Sequence, residues 1–331
     1  MTQTRALPKR PDVPLSPLGL GGAQAGNLGT ARSDATVAGT VTAAWEAGIR
    51  YIDTAPHYGL GLSERRLGSL LAQRPREEFV LSTKVGRLLD PVTTVDGDDL
   101  TEGFAVPATH RRRWDASRDG IRRSISDSLE RLGLDRVDIA YLHDPEDHME
   151  QAIAEAMPAL VELREEGVLR AVGAGMNFSA PLARLVRECD IDVVLCAGRY
   201  TLLDHSALAD LLPAAVEHQV GVVIGGVYNS GLLAVDRPGD DATFDYERAP
   251  RELLQRANAL ADVCERHGVT LPQAALAFVD AHPAVVSTVV GMRNAGDVAD
   301  AVARAAAEIP TAMWDDLRAG GLIPEDAPTP V

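Results

Sequence analysis

Lysine is nearly absent from this sequence. Of the 32 basic residues in 331, only Lys9 and Lys84 are lysine, and all the others are arginine. The basic side chains are outnumbered by 48 acidic ones, which sets the formal charge at −16. Such a chain lacks the basic field that nucleic acid or an anionic membrane demands of a main partner. Its one basic run, Arg111-Arg112-Arg113, is too short to supply that field alone. No stretch reaches the about 18 apolar residues of a spanning helix, and the first residues carry no apolar signal core. Cysteine is scarce as well. Cys189, Cys196 and Cys264 lie in apolar or helical contexts without CxxC or metal-ligand spacing. They read as core thiols of a reduced, cytoplasmic compartment, with no metal site. A GxGxxG fingerprint is missing too: no helix pattern directly follows Gly19-Leu20-Gly21-Gly22, which argues against an open dinucleotide-binding sheet.

What the chain does have is alternation. Short apolar, β-branched runs at 18–22, 50–53, 79–84, 137–143, 169–174, 193–197, 221–225 and 285–290 predict eight strands buried on both faces. Amphipathic patterns at 33–46, 63–73, 117–132, 151–166, 181–188 and 206–218, with two more within 249–281, predict the helices between them. Ser33-Asp34 and Ser63-Glu64 read as helix starts, and Gly48, Gly133, Gly167 and Gly268 as helix ends. Eight strands with intervening helices in this length point to a (β/α)₈ barrel, one domain over residues 1–331. Two connections are long: 85–116, with Phe104 and Trp114, and 228–248, with Phe244 and Tyr246. The first reads as a structureless loop covering a site.

A barrel of this kind places its chemistry at the C-terminal ends of the strands. Those ends carry Asp53, then Tyr58 five residues on, Lys84 and His143. A strand-end lysine is costly to bury without a partner, and this chain otherwise avoids lysine. A nearby ammonium favours a phenolate and is expected to lower the tyrosine pKa, and an aspartate fixes that ammonium. A neutral histidine orients a substrate oxygen. The set suits moving one proton at a carbinol or carbonyl oxygen. With no nucleophile-elbow serine in sight, the carbon needs a separate partner, most simply a hydride carrier.

These residues sit in a wider pattern. Tyr51-Ile52-Asp53-Thr54-Ala55-Pro56-His57-Tyr58-Gly59, Ser63-Glu64-Arg65-Arg66-Leu67-Gly68 and Ser82-Thr83-Lys84-Val85-Gly86 resemble the aldo-keto reductase superfamily. The resemblance continues through the segment ending at His143, through Gly173 to Asn177, and to Val290-Gly291-Met292-Arg293. It implies a nicotinamide-binding barrel with Asp53, Tyr58, Lys84 and His143 as catalytic tetrad and Tyr58 as general acid/base. The segments 197–204 and 224–233 look most like the aldose 1-dehydrogenase group (L-fucose and D-threo-aldose dehydrogenases), with pyridoxal 4-dehydrogenase as a close relative. Members oxidise a cyclic hemiacetal carbon to a lactone.

The pattern also departs from that family. Ala197 stands where many members carry a glutamine, and Gly225-Gly226-Val227 where many carry a stacking aromatic. The resemblance therefore directs cofactor contacts to Gly22, Asn177, Val227, Asn229, Ser230, Gly231, Leu232, Gly291, Arg293 and Asp297. Arg293 matches a position near an adenosine 2′-phosphate. Asp297 falls on the motif's next basic position, where an acid repels phosphate and accepts from a ribose hydroxyl. NAD is thus expected over NADP. The 85–116 loop is expected to close over the sugar, with Phe104 or Trp114 as an apolar wall. The implied partner is a small aldose or aldehyde, in a monomer or small homo-oligomer. Other readings stay open: a pyridoxal or aldehyde oxidoreductase on the same tetrad, a non-catalytic nucleotide-sensing subunit, or a metal-dependent hydrolase using His57, His143 and Asp53.

Overall fold

β-Branched and aliphatic runs bounded by glycine favour extended backbone, and in the computed structural model all eight of the expected runs are strands. The structure describes residues 4–245 and 247–330, so Tyr246 lies outside the described residues. The strands are β1 (Leu18–Gly21), β2 (Tyr51–Asp53), β3 (Val80–Val85), β4 (Ile139–His143), β5 (Ala171–Met176), β6 (Val193–Ala197), β7 (Gly221–Gly225) and β8 (Val285–Gly291). Each pairs in parallel with the next, and β8 returns to β1 with Thr288 opposite Leu18 and Gly291 opposite Gly21, closing a barrel.

Alternation along the strands separates two cores. Leu20, Ile52, Leu81, Ala140 and Val172 pack outward against helices such as Asp34–Glu46, through Val37, Val41 and Ala44. Tyr51, Val80, Ile139, Tyr141 and Val193 pack inward with Leu7, Val13 and Leu15. Those last three flank or belong to a hairpin of Arg5–Ala6 and Pro14–Leu15. They meet the first residues of β2, β3 and β6, so the hairpin plugs the N-terminal end of the barrel and the opposite end is left for ligand.

The 85–116 segment is more ordered than expected. Arg87–Pro91 pairs antiparallel with His110–Trp114, and Asp98–Asp99 with Phe104–Pro107. Its strands are too short and too charged for apolar periodicity to reveal them. The helix expected at 151–166 starts at Met149 and widens into a π-turn at Ala152–Ala156. Pro158, just beyond, lacks an N–H and crowds the carbonyl four residues back, and a wider turn relieves that crowding. Ser33 caps its helix by accepting from Thr36 N, whereas Ser63 lies inside the helix Leu62–Leu71, whose N-cap is Gly61. Helices Ala295–Ala305 and Thr311–Ala319 follow β8. Among the described residues no helix is long and apolar enough to cross a membrane.

Candidate active site

Adjacent strand ends bring the four expected residues together. Lys84 Nζ donates to Asp53 Oδ2 at 2.6 Å, to the Thr54 carbonyl at 3.1 Å and to Tyr58 OH at 3.0 Å. All three ammonium hydrogens are therefore placed. Lys84 and Asp53 are only 2% and 3% exposed, and a buried ion pair holds only when its remaining bonds are satisfied. Asp53 Oδ1 accepts from Ser82 Oγ at 2.7 Å. With the Ser82 hydrogen committed there, Tyr51 OH donates to Ser82 Oγ and Tyr141 OH to Tyr51 OH, each at 3.0 Å. A one-way chain of hydroxyls thus ends on the aspartate.

Burial dominates the electrostatics. It pushes the Tyr58 pKa up to about 12; Lys84 pulls it down, Asp53 adds to the rise, and the net direction is upward. Lys84 pulls the Tyr58 pKa down as expected, but desolvation of the phenolate exceeds that pull. Burial also works against the Lys84 charge, but Asp53 and Tyr58 outweigh it and its pKa rises. Because Lys84 donates to the Tyr58 oxygen, the phenol hydrogen points elsewhere. Burial, then Lys84 and Arg87, hold His143 neutral, well below the usual imidazole range. Its Nδ1 is buried without a partner.

Other side chains set this geometry. Thr83, one residue before the lysine, donates to buried Glu64, whose second oxygen takes Arg131 Nε at 2.5 Å. Ser63 Oγ donates to the Gly22 carbonyl at 2.7 Å. A Cβ on Gly22 would sit 2.6 Å from the Asp53 carbonyl, so a side chain there would displace the end of β2. Arg112 donates to His57 Nδ1 and pairs with Asp99, which leaves His57 with a pKa near 3, lowered by burial and then by Arg112. Phe104 is buried beside the Tyr58 and His57 rings, at centroid distances of 5.9 and 5.2 Å. Trp114 stacks on His148 at 4.9 Å and crowds Gly86.

Residues expected at the cofactor form an arc along the later strand ends. Asn177 and Gly291 are exposed after β5 and at the end of β8. Asn229 Nδ2 donates to the Gly198 carbonyl at 3.2 Å, while its Oδ1 is buried and unpartnered. The Val227 and Leu232 side chains belong to the core, so only their backbone faces outward chemistry. Ser230 and Gly231 have φ of 58 and 103. Asp297 is no free acceptor: its carboxylate takes Arg293 N, Nε and Nη2 and lies within reach of Asn294 Nδ2. Sequence reasoning missed Gln24 and Arg32, which line a cleft with Gly21, Gly22, Met292 and Arg293. No motif flags them; only the fold brings the turn after β1 against the turn after β8.

Asp53 and His57 are committed to Lys84 and Arg112, so the metal-dependent set of His57, His143 and Asp53 is not formed. Among the described residues no cluster of three or more His, Cys, Asp or Glu is placed to hold a metal.

Comparison with known proteins agrees with the barrel. Residues 17–320 match the Aldo/keto reductase family. The chain is 46% identical over 327 residues to a D-threo-aldose 1-dehydrogenase of a Pseudomonas species, covering 98% of this chain and 99% of that one. It is 37% identical to a pyridoxal 4-dehydrogenase of Microbacterium luteolum, over 97% and 98% of the two chains. In structure it resembles the glycerol dehydrogenase of Gluconobacter oxydans with a TM-score of 0.78 at 25% identity, over 100% and 98% of the chains. The chain belongs to the aldo/keto reductase family and is an NAD(P)-dependent oxidoreductase.

Proposed function

We propose that this enzyme oxidises the anomeric carbon of an aldose, of the L-fucose or D-threo-aldose type, to a lactone, with Tyr58 as general acid/base. The observation that carries the reading is the Lys84 ammonium bonded at once to Tyr58 OH and Asp53. The substrate class rests on the likeness to a D-threo-aldose 1-dehydrogenase. In this reading Tyr58, neutral at rest with its raised pKa, first releases its proton to solvent. The phenolate then takes the anomeric hydroxyl proton while the C1–H bond gives up hydride and the C1–O bond becomes a carbonyl. Lys84 holds the phenolate, Asp53 holds Lys84, and His143 orients the reacting oxygen. Three unpaired cysteines suit a reduced, cytoplasmic setting.

A bound nicotinamide supplies the hydride acceptor. The arc described above fits such a group: buried Gln24 Oε1 and Asn229 Oδ1 lack partners. Gly22, Asn177, the backbone from Val227 to Leu232, Gly291, Arg293 and Asp297 are the proposed holders, and Trp114 and Phe104 the proposed wall toward substrate.

The test is a panel of aldoses and pyridoxal with NAD and NADP, followed by the absorbance of reduced cofactor and by trapping of lactone. Aldose turnover with lactone formation is expected. Turnover of pyridoxal alone replaces the substrate class. Cofactor binding without any turnover replaces catalysis by sensing.

A further inference from the structure

Directly after His143 the backbone makes a turn that few side-chain-bearing residues adopt. Asp144 has φ 44, a left-handed conformation that aspartate and asparagine tolerate best. Its N–H donates to the Gly175 carbonyl at 2.9 Å. The turn carries the carboxylate back beside the histidine, with Oδ2 3.6 Å from His143 Nε2. Arg87 Nη2 donates to the same oxygen at 2.7 Å, with the aspartate side chain 24% exposed. Oδ1 makes no hydrogen bond among the described residues. No other group among the described residues sets the histidine tautomer, because Nδ1 is unpartnered. A carboxylate near Nε2 favours the hydrogen there. A donor and a charged acceptor therefore stand side by side at the mouth, and neither belongs to the Asp53–Lys84–Tyr58 chain.

We propose that Asp144, held by Arg87, accepts a hydrogen bond from a hydroxyl on the carbon next to the reacting one, so that the site selects vicinal diols and α-hydroxy aldehydes. The two oxygens of such a substrate lie at hydrogen-bond spacing from each other. One takes the His143 Nε2 hydrogen and the other donates to Asp144. For a ring-form aldose the second is the C2 hydroxyl, and only that last step rests on the aldose reading. Burial raises the Asp144 pKa while Arg87 and Lys84 oppose the rise. A substrate lacking the hydroxyl leaves a partly buried carboxylate oxygen unpaired, which is how polar pockets discriminate strongly.

The experiment compares wild type with Asp144→Asn, the isostere that keeps the left-handed turn. Two substrate pairs are used: an accepted aldose with its 2-deoxy counterpart (oxidation), and glyceraldehyde with propanal (reduction). The expected result is that the wild-type preference for the hydroxylated member, read as a kcat/KM ratio, shrinks about tenfold in the variant, since charge-assisted bonds are about twice as strong as neutral ones. Equal losses on both members of each pair overturn the proposal, because Asp144 then acts only through His143 or the fold. If only the aldehyde pair is turned over and its ratio shrinks, the aldose reading fails and this one stands. No turnover of either pair overturns both.

Discussion

Arg112 donates its Nε hydrogen to Nδ1 of His57 at 2.5 Å and an Nη2 hydrogen to the carbonyl of the same residue at 3.0 Å. A ring nitrogen that accepts is unprotonated, so the His57 hydrogen resides on Nε2. The same guanidinium grips both oxygens of Asp99, with the arginine and aspartate side chains 13% and 7% exposed. The antiparallel segment after β3 and the turn that carries Tyr58 are therefore one mechanical unit.

Breaking that unit has two readouts. Arg112→Met leaves Asp99 largely buried without its cation, which costs about 3–5 kcal/mol in comparable pairs. Urea unfolding is expected to show a loss of that order, and kcat to fall because the Tyr58 turn loses its brace. A folded variant with unchanged kcat would show that the segment is mere covering.

Lys84→Arg is conservative in a chain that elsewhere uses arginine. It is not so here. The ammonium places one hydrogen each on Asp53, Thr54 and Tyr58 from a single atom, while a guanidinium spreads its donors over a planar fork. The variant is expected to lose at least about 10²-fold in kcat, the scale of general acid–base catalysis, while cofactor titration by fluorescence stays near wild type. Near-normal turnover would remove Lys84 from proton transfer.

Much of this site was legible in the chain. Strand-end placement and the rarity of lysine were enough to single out Lys84 and its neighbours, because buried charge is costly and so stands out against apolar runs. The roles of Arg112, Asp144 and Arg32 were not legible, since in a chain with so many arginines each looks like surface charge. Their meaning comes from contacts between segments far apart in sequence, such as Arg112 with His57. Spacing reveals the lysine that lowers the Tyr58 pKa but not the depth of burial that raises it further. The helices Ala295–Ala305 and Thr311–Ala319 lie beyond the eight expected helices.

Buried histidines make stability sensitive to mild acid. Burial lowers the pKa of His57 to about 3 and of His205 to about 4, and places His143 well below its ordinary 6.5. Once unfolded, all three bind protons near pH 6.5. The unfolded state thus binds more protons from about pH 6.5 down toward the folded values, and stability falls as pH falls through that window. Each such proton contributes a slope of about 1.4 kcal/mol per pH unit. The urea midpoint at pH 5 is expected clearly below that at pH 7.5, before the carboxylates titrate. Equal midpoints would mean that the three rings stay accessible to protonation in the fold.

Cofactor choice turns on a surface pair. Arg293 is 63% exposed and bonded to Asp297, so the acid offsets its charge without burying it, and exposed pairs of this kind are weak. The Arg32 guanidinium donates to the Leu28 and Thr30 carbonyls, and its pKa is lowered by burial and then by the nearby Arg293. Two repelling cations with one acid between them would accept a phosphate if the acid were neutral. Asp297→Asn keeps the size and the backbone N–H that bonds Asn294 Oδ1, and removes only the charge. The ratio of kcat/KM for NADP to that for NAD is expected to rise at least about tenfold, the worth of one charge-assisted hydrogen bond. A ratio that stays put would mean that the adenosine 2′ position does not lie against Arg293, and the expected preference for NAD would lose its physical basis.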